Sequence, residues 1–150
     1  MLQLKALVID DSRVMRNMVM QNLLKARLAE FEFVEASDGA DGLTKFNPAE
    51  FDVCFVDWNM PNMTGIDFVR QARTVPGAEN TIMVMVTSEK SMGKIEEALD
   101  SAGASAYICK PFTPEDLDMK LRKLFDELEA KLLKEQQPAP SGGLLGKLFG

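Results

Sequence analysis

Five short apolar runs alternate with stretches of helical spacing along this chain, and that rhythm limits its fold more than any other feature. The runs are Ala6 to Ile9, Phe31 to Ala36, Val53 to Val56, Ile82 to Val86 and Ala106 to Cys109, the one at Phe31 being the weakest. Each is too short for a helix and reads as a strand buried on both faces, as in parallel sheets. Between them, Ser12 to Lys25 puts Met15, Met18, Val19, Asn22 and Leu23 on one stripe, with Ser12 as N-cap and the methionines as core filler. Asp38 to Phe46, Thr64 to Arg73, Ser91 to Ala102 and Pro114 to about Lys134 read as further helices. The last has Leu117, Leu121, Leu124, Leu128 and Leu132 as its buried stripe.

Strand and helix alternating in this way specify an α/β domain, with a parallel sheet covered by helices on both sides. Right-handed crossovers and five strands give a doubly wound, flavodoxin-like sheet of order 2-1-3-4-5. Functional residues in such a sheet lie beyond the carboxyl ends of the strands, where the winding reverses between the first and third.

Composition narrows the function. The 150 residues, 46% hydrophobic and 27% charged, suit one globular domain that needs neither disulfides nor a structural metal to fold. A net charge of −6 disfavours contact with nucleic acid backbones. The longest apolar stretch, Ile82 to Val86, is far below the roughly 18 residues of a membrane span. The first ten residues, Met1 to Asp10, lack the pattern of a signal peptide, so a cytoplasmic location is expected. With no histidine, the chain has no Ser-His-Asp or Cys-His arrangement and cannot carry phosphohistidine. Cys54 and Cys109 lie in apolar runs and read as small buried hydrophobes.

The residues that close the strands carry the chemistry. They are Asp10 and Asp11, Asp57, Thr87, and Lys110, all expected on one edge of the sheet. A lone Asp at a strand end is usually a cap and a lone Lys is usually solvated, but their conjunction on one edge favours a site. Three converging carboxylates repel one another unless a hard divalent cation joins them, and oxygen-only ligation selects Mg²⁺ or Mn²⁺. Mg²⁺ with open positions suggests an arriving phosphoryl group, whose oxygens the Thr87 hydroxyl and Lys110 ammonium would hold. The best remaining nucleophile is a carboxylate able to form an aspartyl phosphate, and Asp57 is chosen because the adjacent Asp10 and Asp11 are better placed for the metal.

From about Leu4 to Leu128 the chain resembles the receiver domain of bacterial two-component response regulators, and within that family the CheY-like chemotaxis regulators. The resemblance rests on Asp10-Asp11-Ser12, the segment Asp57 to Gly65, Val86-Thr87-Ser88-Glu89, Gly103 to Tyr107, and Lys110-Pro111-Phe112. Each fragment is weak alone and specific in this order and spacing. The resemblance implies that Asp57 accepts phosphate from a phosphohistidine on a histidine kinase. It implies a Mg²⁺ site of Asp11 directly, Asp10 mainly through water, Asp57, and the backbone carbonyl of Asn59. Thr87 and Tyr107 would form the switch that remodels the face made by the fourth helix, the fifth strand and the fifth helix, Asn59 and Glu89 would tune dephosphorylation, and the Lys110-Pro111 bond would be cis.

Tyr107, Ile95 and Lys120 are the candidates for partner binding, the partner being an output protein such as a flagellar motor switch component; a phosphatase is a further candidate partner. A monomer is expected. The chain departs from chemotaxis members at Arg13, Thr64 and Ser88, and the stretch before Gly103 is one residue longer than theirs.

The receiver is assigned to residues 1–135, a Pro- and Gly-rich linker to 136–143 and an amphipathic tail to 144–150. Leu144, Leu145, Leu148 and Phe149 would anchor that tail to a partner groove or to the domain's own output face. No second module fits after the last helix in this sequence, so output is expected through another protein. Other readings are a phosphorelay shuttle or phosphate sink and, from a different class, a Mg²⁺-dependent phosphatase using an aspartyl phosphate. The phosphatase type places Asp-x-Asp at the first strand, whereas Asp10 and Asp11 are adjacent. Dinucleotide binding is poorer still, because the first strand-helix turn, Asp10 to Val14, lacks glycine.

Overall fold

The computed structural model describes residues 1–136. Its strands are β1 (Gln3–Ile9), β2 (Glu30–Ala36), β3 (Val53–Val56), β4 (Ile82–Thr87) and β5 (Ala106–Cys109). They form one sheet in the order β2-β1-β3-β4-β5, every adjacent pair parallel. The helices are α1 (Arg13–Ala26), α2 (Gly39–Lys45), α3 (Gly65–Arg73), α4 (Met92–Glu96) and α5 (Pro114–Gln136). The expected doubly wound architecture is therefore present.

Strand alternation divides the core in two. Leu7, Ile9, Cys54, Val56, Met83 and Met85 face one side, where they pack with Ile66, Phe68 and Val69 of α3. Ala6, Val8, Val53, Phe55, Val84, Val86 and Ile108 face the other, against Val19 and Leu23 of α1 and Leu117, Leu121 and Phe125 of α5. Side chains on a strand point alternately to opposite faces, so continuous apolar runs in β3 and β4 feed both layers.

Helix starts follow the sequence closely. Ser12, Asp38 and Thr64 each accept a hydrogen bond from the backbone N–H three residues on, capping α1, α2 and α3. Thr113 and Asp116 bond reciprocally before α5, at 2.9 and 3.1 Å, a capping box with Asp in place of Glu. The departure at Thr64 thus has a local use as a cap.

Several expectations need correction. β2 is not buried on both faces: as an edge strand it exposes Glu30, Glu32 and Glu35, while Phe31 and Phe33 stack at 5.2 Å over one core layer. Met15, Met18 and Asn22 are not core. Met18 is 43% exposed, Met15 and Asn22 are half-buried, and Val19 and Leu23 alone of that stripe are buried. Leu124 and Leu128 are half-buried, and Phe125, absent from the expected stripe of α5, is fully in the core. Cys109 is half-buried, unlike Cys54. The fourth helix is not uniform, since α4 gives way to a π-helical segment at Glu97–Ala102 that ends on Gly103 at φ 93°. A π turn accommodates one extra residue within a helix, and this one falls in the stretch before Gly103 that the sequence resemblance led us to expect to be one residue longer.

α5 extends to Gln136, one residue into the segment read as linker. Near its end Leu132 is buried in the core and Lys131 bonds the Asn80 side chain at 2.8 Å. The helix runs back from the site edge of the sheet, so its last turns lie towards the opposite edge. The tail candidates Leu144, Leu145, Leu148 and Phe149 lie outside the described residues.

Candidate functional site

The ladder continues one residue past each strand and fixes the level of the site residues. Asp10 N–H donates to Ala36 O at 3.2 Å, Asp57 N–H to Ile9 O at 3.0 Å and Lys110 N–H to Thr87 O at 2.9 Å. Asp10, Asp57, Thr87 and Lys110 consequently share one edge, although they come from four strands. Asp10, Asp57 and Thr87 are buried, Lys110 is half-buried and Asp11 is exposed.

Carboxylate oxygens of Asp10, Asp11 and Asp57 lie within 4.8 Å of one another. The Lys110 ammonium bridges two of them, 3.1 Å from Asp10 Oδ2 and 3.5 Å from Asp57 Oδ1. Asp10 Oδ1 accepts the Ser12 N–H at 2.9 Å, so both Asp10 oxygens already have partners. Asp11, by contrast, is open to solvent. An all-oxygen donor set that leaves open positions suits a hard cation such as Mg²⁺.

Burial raises the Asp57 carboxyl above the usual carboxylate range. The Lys110 charge opposes that shift and the Asp10 charge adds to it, while hydrogen bonds from the Thr87 hydroxyl and the Trp58 N–H favour the ionised form. A negative group is thus held in a partly dry pocket by an ammonium, a hydroxyl and an amide.

The loop after β3 is held close by Gly65. Its N–H donates to Trp58 O at 2.9 Å, and a Cβ there would lie 1.8 Å from Asp57 O. Only glycine lets α3 begin against the backbone of Asp57.

At the rim, Glu89 joins three elements. Its Oε1 accepts the Asn59 side-chain amide at 2.8 Å and its Oε2 lies 3.4 Å from Lys94 Nζ. These bonds, that to Asn59 foremost, hold the Glu89 carboxyl below its ordinary range. Its backbone carbonyl accepts the Tyr107 hydroxyl at 2.7 Å, and its N–H donates to Thr87 Oγ1 at 3.3 Å. Tyr107 is therefore turned inward and buried, and burial, foremost, pushes its phenol up to about 12.

Asp10, Asp11, Asp57, Thr87 and Lys110 are brought together, with Asn59, Glu89 and Tyr107 at the margin. Of the partner candidates, Lys120 is exposed and lines a groove with Tyr107 and Met119, whereas Ile95 packs partly into the core. The Lys110-Pro111 peptide bond is cis. Two supporting residues carried no signal in the sequence. Arg16 donates to the Asp10 carbonyl at 2.7 Å and pairs with Glu35 at 2.9 Å, tying α1 and β2 to the site. Lys94, on the first turn of α4, stands over the Trp58 ring at 5.1 Å.

Comparison with known proteins agrees with this geometry. The family model described as response regulator receiver domain matches residues 6–122. The chain belongs to that family. This receiver domain is 38% identical over 125 residues to a chemotaxis protein CheY from Pseudomonas aeruginosa, covering 83% of this chain and 98% of the relative. A chemotaxis protein CheY-3 of Vibrio cholerae is equally similar at 38%, with 83% and 94% of the two chains covered. Among solved structures, the chemotaxis response regulator CheY4 of Vibrio cholerae superposes with a TM-score of 0.68 at 38% identity, over 81% of this chain and 96% of that one. A receiver domain protein from Clostridium thermocellum reaches 0.72 at 25% identity, over 85% and 98%. A receiver is a signalling domain of two-component systems, and the Pseudomonas and Vibrio relatives are chemotaxis proteins. No helix among the described residues is long and apolar enough to cross a membrane.

Proposed function

We propose that this receiver is a stand-alone response regulator, phosphorylated on Asp57 by a histidine kinase and read out by a separate output protein, in chemotaxis. The observation that carries this reading is the placement of Asp57 between the Lys110 ammonium, the Thr87 hydroxyl and two further carboxylates.

An Asp57 oxygen attacks the phosphorus of a phosphohistidine. The O–P bond forms as the P–N bond breaks, and the imidazole nitrogen leaves with the electron pair and takes a proton. Lys110 and Thr87 neutralise charge spread over the phosphoryl oxygens. Asp10, Asp11, Asp57 and the Asn59 carbonyl would hold Mg²⁺, which would supply electrophilic stabilisation of the same oxygens. Hydrolysis reverses the charge state: water adds to phosphorus, the O–P bond breaks, and Asp57 returns as carboxylate with inorganic phosphate released. Asn59 and Glu89 border the path of that water.

Thr87 links the chemistry to the surface. Its hydroxyl serves Asp57 and also accepts the Glu89 N–H, whose own carbonyl holds Tyr107. A phosphoryl group drawing on Thr87 biases this chain of bonds and the groove around Tyr107 and Lys120, a population shift that an output protein such as a flagellar motor switch component would sense. The protein acts as a cytoplasmic monomer with residues 1–135 as the receiver, and it catalyses only its own phosphorylation and dephosphorylation.

The test is intact-mass spectrometry after treatment with acetyl phosphate and Mg²⁺, comparing the wild type with Asp57→Asn. One labile phosphate on the wild type and none on the variant is expected, and equal labelling would refute the site. Steady turnover of phosphomonoesters would point instead to a phosphatase. Faster loss of phosphate to a histidine protein than to water would point to a relay shuttle.

A further inference from the structure

Lys94 occupies a place that local helix chemistry disfavours. Ser91 caps α4 and accepts the Lys94 N–H at 3.3 Å, so this lysine sits in the first turn, at the positive end of the helix. No acidic side chain stands in that turn to offset it. Tertiary contacts account for the position instead. The ammonium lies 3.4 Å from Glu89 Oε2 and 5.1 Å from the centroid of the Trp58 ring, beside the residue that follows Asp57. Glu89 is pinned from its other oxygen by Asn59, two residues past Asp57. The carboxylate of Glu89 is thereby fixed at the rim of a pocket that already holds three acidic groups.

We propose that Lys94 is a positioning residue that holds and neutralises Glu89 at the mouth of the Asp57 pocket, so that anionic phosphodonors approach it. Resting on the receiver reading, the proposal adds to it a determinant of donor preference. Without Lys94 the Glu89 charge stands uncompensated, the rim becomes more negative, a dianionic donor is repelled and a divalent cation is attracted. Effects of opposite sign on an anion and a cation are not produced by simple loosening of the loop.

Lys94→Met keeps the aliphatic stem over Trp58 and removes the charge, at a side chain 40% exposed, so the fold is retained. Full-length protein is phosphorylated with acetyl phosphate, a dianion, and with phosphoramidate, which carries less negative charge. Mg²⁺ affinity is measured separately, without any donor, through Trp58, the only tryptophan of the chain. The expected result for Lys94→Met is phosphorylation by acetyl phosphate slowed about three- to tenfold, a smaller loss with phosphoramidate, and Mg²⁺ bound about two- to fivefold more tightly. Both effects shrink in molar salt, where the Debye length falls to about 3 Å. Lys94→Arg restores wild-type behaviour, and adding Glu89→Gln to Lys94→Met returns the ratio of the two donor rates and the Mg²⁺ affinity towards the wild-type values. Equal loss with both donors, insensitivity to salt, or unchanged Mg²⁺ affinity overturns the proposal. If the wild type accepts phosphate from neither donor, the receiver reading fails, and the Mg²⁺ measurement still decides the role of Lys94.

Discussion

Lys110, at the end of β5, reaches 3.5 Å from Asp57 at the end of β3, passing the whole of β4 that lies between their strands. The same ammonium is 3.1 Å from Asp10 of β1. One side chain therefore ties three strands at the edge where they carry most negative charge. Replacing it with methionine leaves two buried carboxylates without a counter-charge, and removing one partner of such a pair is strongly destabilising. Lys110→Met is expected to lower stability by about 2–3 kcal/mol in chelator, discounted from the fully buried case because the lysine is partly solvated. Mg²⁺ should recover part of that loss. Urea unfolding with and without Mg²⁺ checks it, and an equal loss in both would mean that the metal and the lysine do not share these carboxylates.

Asp11 should behave in the opposite way. It adds a third carboxylate to the cluster and has no ion-pair partner among the described residues. Asp11→Asn relieves repulsion, so the melting temperature in chelator should rise, on the order of 1–3 °C. Mg²⁺ should stabilise the wild type, and most of that gain should vanish in the variant. Calorimetric melts at a series of Mg²⁺ concentrations measure both; a variant still stabilised as strongly as the wild type would remove Asp11 from the metal site.

Two glycines with opposite surroundings make a paired test of the β3–α3 turn. A Cβ on Gly65 would lie 1.8 Å from the backbone oxygen of Asp57, and one on Gly93 meets nothing within 4 Å. Gly65→Ala is expected to cost about 3 kcal/mol or more, because only backbone movement relieves the overlap. Gly93→Ala, inside α4, should stabilise by about 0.5–1 kcal/mol. Denaturation midpoints settle the comparison, and a neutral Gly65→Ala would show that the turn has room that its geometry denies.

Tyr107 is the only tyrosine of the chain, so its ionisation can be followed by absorbance near 295 nm. Burial raises its phenol from the ordinary 10.0 to about 12. A folded-state value above the unfolded one means that the neutral phenol stabilises the fold below pH about 10, and that this contribution is lost as pH rises towards about 12. Wild-type stability should therefore fall across that window more steeply than that of Tyr107→Phe. A phenol titrating near 10 in the folded protein would contradict the inward position bonded to Glu89.

The order of secondary structure, the parallel sheet and the edge bearing Asp10, Asp11, Asp57, Thr87 and Lys110 could all be read from the sequence. The reason is that uninterrupted runs such as Val53 to Val56 must be buried on both faces, and one polar residue closing each run marks the same edge once the strands are parallel. Ser12, Asp38 and Thr64 were legible as helix starts because capping is a bond within three residues.

What escaped the sequence depends on distance in space. Whether Met18 faces the core or water is decided by how α1 sits on the sheet, and the stripe alone does not distinguish them. The exposed glutamates of β2 reflect its place at the sheet edge, which sets how much of a strand is covered. Arg16 on the Asp10 carbonyl and Lys94 on Glu89 and Trp58 belong to no motif, since their partners come from other elements. Local sequence thus determined which groups stand at the carboxyl edge; packing alone decided which charges there are paired, because ion pairing depends on separations of a few ångströms between residues remote in the chain.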